Sequence, residues 1–102
     1  MYLYTMTHPK RTSIFKNDTC ELVVIKWNSG DVIPEHSHPG VNCYFSVLYG
    51  QIKEVRCGDK STILNRSEYA YIDDYCGSHC VIATRESATI HFYIKTNLVC
   101  RL

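Results

Sequence analysis

The amino-acid sequence predicts an all-β protein: a small antiparallel barrel, open at one end, in one domain covering residues 1–102. Three observations carry this. Short runs rich in β-branched and aromatic residues recur at roughly 8–12-residue spacing, with polar turns between them. No segment sustains an apolar period of about 3.6 residues, so no amphipathic helix is expected. The chain has 102 residues, 45% of them hydrophobic, which suffices for one core.

The elements follow the chain. Tyr2-Leu3-Tyr4 is read as an added edge strand. Glu21 to Trp27 is rich in β-branched residues and ends at Asn28-Ser29-Gly30, a turn signal. Val41 to Tyr49 is closed by Gly50. Gln51 to Cys57 alternates Ile52, Val55 and polar residues before Gly58-Asp59-Lys60. Ser61 to Leu64 precedes Asn65-Arg66-Ser67, and Tyr69 to Ile72, Cys80 to Thr84 and Ala88 to Ile94 complete the set.

Composition excludes several classes. A formal net charge of +1 leaves no electrostatic footprint for nucleic acid or an anionic membrane. No run of apolar residues is long enough to span a bilayer as a helix. The opening MYLYTMTHPKR lacks an apolar signal core, so a cytoplasmic protein is expected. Six cysteines are many for this length, yet no Cys-x-x-Cys pair occurs, and cytosolic thiols stay reduced. Cys20, Cys57 and Cys80 are read as buried small apolar residues. Cys43 is set apart by its place after a histidine pair.

That pair is His36-Ser37-His38. In a strand, residues two apart point to one face, so both imidazoles would project into one cavity. Neutral imidazoles so placed suit iron, copper, zinc or nickel. A bare His-x-His also arises by chance in a polar loop. A third ligand would come from His79 or His91. His8, beside Pro9, reads as a surface residue.

The flanking residues resemble the first motif of the cupin family. Five residues separate Gly30 from His36, and Gly50 closes the following strand. The position that carries a glutamate ligand in most cupins is Cys43 here. A cysteine at that point is similar to the cysteine dioxygenase branch. Ala70 to His79 resembles that branch's second motif, and Thr89-Ile90-His91-Phe92-Tyr93 resembles its serine-x-histidine-x-tyrosine strand. Trp27 and Cys100 fall at matching places, Arg11 lies close to the place of the family's substrate-carboxylate arginine if one residue is deleted in between, and Pro9 replaces a tyrosine of the family.

The resemblance implies a cupin barrel (a double-stranded β-helix, or jelly roll) that oxidises a small thiol, cysteine or a relative, to its sulfinate with O₂. It implies Fe(II) held by His36, His38 and His79. Cys43 and Tyr93 would meet inside the barrel and can be crosslinked in the family. His91 would hydrogen-bond Tyr93, with Thr89 extending the relay. Arg11 would take a substrate carboxylate, and Tyr71 and Cys100 would line the substrate site. The alternatives are a non-catalytic metal-binding or sensing cupin, and a zinc or nickel cupin isomerase or lyase. An uncovered edge strand makes a homodimer the expected assembly.

Overall fold

The computed structural model describes residues 8–36, 40–56, 60–72 and 78–95. Nine strands run through them: β1 (Lys10–Lys16), β2 (Cys20–Trp27), β3 (Val32–His36), β4 (Val41–Tyr49), β5 (Gln51–Arg56), β6 (Lys60–Asn65), β7 (Tyr69–Ile72), β8 (His79–Ala83) and β9 (Ser87–Lys95). They form a five-stranded sheet, β1-β2-β9-β4-β7, and a four-stranded sheet, β3-β8-β5-β6. Every strand pairing is antiparallel. Among the described residues no helix is long and apolar enough to cross a membrane.

Alternation builds the core. Val23, Ile25 and Trp27 of β2 and Cys43, Phe45 and Val47 of β4 are all buried, as their period of two requires. Ile52, Val81 and Ala83 meet them from the other sheet. Full burial of such a side chain contributes about 1.5–3 kcal/mol. The interior is graded along the strands. Trp27, Val47 and Ile52 fill one end, with Asp31 and Ser87 buried beside them, whereas His79, His91 and Glu54 are buried toward the other end.

Two strands depart from the sequence reading. β1 is exposed along its whole length, so no apolar pattern marked it; its backbone bonds to β2 define it. Its lysines, Arg11 and a bulge between Ser13 and Phe15 blunt the open sheet edge. The edge strand expected at Tyr2-Leu3-Tyr4 lies outside the described residues. β3 carries Pro34, which cannot donate to a ladder, and it is accordingly an edge strand. Its register slips between Ile33, opposite Val81, and His36, opposite His79. The extra residue lets Ile33 and His36, three apart, both line the interior cavity.

The expectation that Cys20, Cys57 and Cys80 are buried is not met where the structure describes them. Cys20 and Cys80 are half-buried rather than buried, Cys43 is buried, and Cys57 lies outside the described residues.

Gly50 makes the corner between the two sheets. Its φ is +90°, and an added Cβ would lie 2.6 Å from Cα of Ser87. Ser87 cannot retreat, because its Oγ accepts from the Gln51 N–H at 2.9 Å and donates to the Arg85 carbonyl at 2.7 Å. Gly30, at φ +91°, has open space around the same position. Gly30→Ala should therefore cost only left-handed strain, about 1–2 kcal/mol. Gly50→Ala should add about 1–3 kcal/mol of forced displacement. Thermal melts are expected to show the larger drop for Gly50→Ala; equal drops would contradict the corner's close packing.

Candidate metal centre

At its polar end the interior opens into a cavity of about 440 Å³. One wall, from the four-stranded sheet, carries Ile33, His36, His79 and Val81. The facing wall carries Cys43, His91 and Tyr93, with Arg11 and Glu21 beside them.

His36 and His79 are direct cross-strand partners, and their ring Nε2 atoms lie 3.1 Å apart. Their other nitrogens are held by acceptors. His36 Nδ1 lies 2.8 Å from the Pro34 carbonyl, and His79 Nδ1 lies 2.6 Å from Glu54 Oε2. A carbonyl and a carboxylate only accept, so each Nδ1 donates, and in a neutral ring the Nε2 then presents a lone pair. The two Nε2 atoms so placed can share a proton or hold a metal ion between them. Burial, and then the charges of His79 and Arg11, hold His36 below its ordinary pKa against the pull of the Pro34 carbonyl. A metal ion about 2.0–2.1 Å from each nitrogen fits the separation. The donor set thus suits an imidazole-bound metal. His38 lies outside the described residues, and among the described residues no cluster of three His, Cys, Asp or Glu has metal-site geometry.

Glu54 was not singled out from the sequence. Its side chain is 3% exposed, and Arg56 grips it at 3.0 Å (Nε to Oε1) and 3.1 Å (Nη2 to Oε2). Burial works to raise its pKa, but the hydrogen bonds of His79 and Arg56 and the Arg56 charge outweigh it, so the carboxyl stays below its usual range. The signal was available. Ile52 marks the inner face of β5, and Glu54 is the next residue on that face. Pairing Ile52 with Val55 in the sequence reading obscured this, since residues three apart in a regular strand do not share a face.

On the facing wall, Cys43 of β4 lies directly opposite Tyr93 of β9 in the register. This fulfils the expectation that the two meet inside the barrel. Burial pushes the Cys43 thiol up to about 12, with Arg11 opposing and Glu54 adding to the effect. Burial likewise raises the Tyr93 phenol. Arg11 donates to the Tyr93 hydroxyl at 3.3 Å, and its guanidinium carbon sits 5.7 Å from the ring centroid.

His91 differs from the expectation. Its Nε2 meets Thr89 Oγ1 at 2.7 Å, and its Nδ1 points to Cys43 Sγ at 4.0 Å. The Tyr93 ring packs alongside at 6.0 Å between centroids. Thr89 in turn accepts from Trp27 Nε1 at 2.9 Å. The relay therefore runs Trp27–Thr89–His91. His79, rather than His91, faces His36, and it is buried rather than on the surface.

Tyr71 is a correction. Cys43 pairs with Ile72, which is 0% exposed and points inward, so Tyr71 takes the outer face. There it packs on Tyr44 at 4.6 Å and does not line the cavity. Cys100 lies outside the described residues.

With this geometry in view, known structures share the fold. An RmlC-like cupin protein from Desulfovibrio desulfuricans superposes with a TM-score of 0.76 at 18% identity, covering 85% of this chain and 82% of that one. A double-stranded β-helix protein from Klebsiella pneumoniae gives 0.78 at 17%, covering 88% and 79%. The chain has the cupin fold. KdgF from Halomonas sp., also 17% identical, gives 0.78 over 85% of this chain and 80% of its own. No family model matches the sequence. Among characterised proteins, cysteine dioxygenase type 1 of Danio rerio is 27% identical over 100 residues, 83% of this chain and 50% of that protein. The chain spans about half the length of that relative. Within this cupin fold, His36 and His79 and the Cys43–Tyr93 pair occupy opposite walls of one cavity.

The burial of Cys43 is open to a direct check. In the reduced, metal-free protein at pH 8, iodoacetamide should modify half-buried Cys20 and Cys80 well before Cys43, because the thiolate is the reactive form. Peptide mass mapping reads the order. Cys43 labelled as fast as Cys20 would contradict its raised pKa.

Proposed function

We propose that this cupin is an iron-dependent thiol dioxygenase that converts a small thiol to its sulfinate. The observation that carries the reading is the Cys43–Tyr93 cross-strand pair, set across the cavity from the His36–His79 lone pairs. The limited identity to a cysteine dioxygenase supports it.

In this reading His36, His38 and His79 hold Fe(II), which supplies the meeting point and the electron path for a thiolate and O₂. The balance is RS⁻ plus O₂ giving RSO₂⁻: the O–O bond breaks, two S–O bonds form, sulfur loses four electrons and dioxygen gains them. Neutral imidazoles leave the site cationic, which favours an anionic thiolate over a thiol. Arg11 has donors to spare after Tyr93, and its planar fork matches a substrate carboxylate. Tyr93, held by Arg11 and packed on His91, keeps a protonated hydroxyl directed at the cavity. Phe45, stacked on His91 at 4.9 Å, and Val81 exclude water from the buried side. A thioether between Cys43 and Tyr93 would fix the phenol further, with O₂ taking up the two electrons and two protons released.

The test is oxygen uptake by iron-loaded protein with L-cysteine, 3-mercaptopropionate and cysteamine, with sulfinate quantified. Uptake matched one-to-one by sulfinate is expected. Arg11→Gln should raise KM about tenfold for the two carboxylate thiols and leave cysteamine unchanged. Intact mass of the aerobic samples should fall by two hydrogens, and Cys43→Ala should abolish that loss. Full iron loading with no oxygen uptake would instead favour a non-catalytic, metal-binding cupin.

A further inference from the structure

We propose that Glu54, clamped by Arg56, is a positioning residue that fixes the His79 proton on Nδ1 and so keeps the Nε2 lone pair facing His36. This rests on the reading that His36 and His79 share a metal ion, but it concerns the chain's own hydrogen bonds.

A neutral histidine side chain in water prefers its proton on Nε2, the wrong nitrogen for a ligand that must offer Nε2. His79 Nδ1 lies 2.6 Å from Glu54 Oε2, and a carboxylate can only accept. The contact therefore selects the minority tautomer. A buried carboxylate is costly unless its lone pairs are satisfied. Here Arg56 takes both oxygens, Nε to Oε1 at 3.0 Å and Nη2 to Oε2 at 3.1 Å. Arg56 is itself anchored, donating to the Tyr71 carbonyl of the opposite sheet at 2.6 Å. The clamp thus runs from β7, through Arg56 and Glu54 of β5, to His79 of β8. The register explains its geometry. Arg56 is the direct partner of His79, and Glu54 is the partner of Val81, placing its carboxylate on the diagonal to the imidazole.

Arg56 alone would satisfy Glu54 if the pair were only structural. Instead the shorter contact goes to His79. The two histidines are also held differently, His36 by a backbone carbonyl and His79 by the carboxylate that Arg56 clamps. A carboxylate raises the basicity of the ring it holds. His79 should therefore be the stronger donor, and removal of the Glu54 charge should weaken metal binding even where the tautomer survives.

The test uses the full chain in three forms: wild type, Glu54→Gln, and the double variant Glu54→Leu with Arg56→Leu. The double variant removes both charges together, so neither is left buried and unpaired. Two readouts are taken without thiol or turnover. One is the His79 tautomer in metal-free protein, by ¹⁵N imidazole NMR; the other is Fe(II) affinity, by chelator competition. Wild type should show Nδ1–H. Glu54→Gln should keep it through the amide oxygen, with affinity down roughly tenfold, and the double variant should shift to Nε2–H with affinity down roughly 100-fold. A wild-type Nε2–H tautomer, or a folded double variant with unchanged tautomer and affinity, overturns the proposal. Oxygen uptake is measured separately. Its absence alongside the expected tautomer and affinity shifts would sink the dioxygenase reading and leave this one standing.

Discussion

Two ring nitrogens, His36 Nε2 and His79 Nε2, face each other across 3.1 Å at the polar end of the barrel. The contacts around them fix that arrangement. The slip in β3 turns His36 inward, and the carbonyl of Pro34 keeps its proton on the far side. Glu54, which is buried, and the partly exposed Arg56 do the same for His79. Trp27, Val47 and Ile52 pack the opposite end of the interior and contribute hydrophobic stability there.

The second wall is built by a different device. β9 contributes Thr89, His91 and Tyr93 on one face by simple alternation, and β2 and β4 flank it on both sides. Trp27, Thr89 and His91 form one hydrogen-bonded line, and Phe45 stacks on the imidazole at 4.9 Å. The result fixes His91 in place so that Tyr93 and Cys43 lie next to it with little freedom. The wall carrying His36 and His79 and the wall carrying Tyr93 belong to separate sheets, so the cavity between them is a property of the fold itself.

The strands were largely legible, because Val41–Tyr49 and Tyr69–Ile72 carry β-branched or aromatic runs bounded by turn residues. The Cys43–Tyr93 meeting was legible from the family resemblance, and the register now gives it a physical basis. Other features were not. β1 has no buried face to leave a pattern, and the β3 bulge shifts phase at a proline that the sequence alone does not locate in a ladder. Tyr71 was misplaced by one residue of parity, which in a strand means the opposite face of the sheet. Glu54 looked like an ordinary polar residue until its partners came from β8 and from two positions along its own strand. Pairwise contacts across sheets decide such cases, and composition does not encode them.

Iron K-edge X-ray absorption tests the central claim most directly. Iron-loaded protein would be measured without oxygen, before and after addition of L-cysteine. The account predicts imidazole scattering around the iron in both spectra, reduced in His36→Ala and His79→Ala, and a new sulfur neighbour once the thiol is added. An iron surrounded by oxygen ligands alone, indifferent to both substitutions, would contradict it.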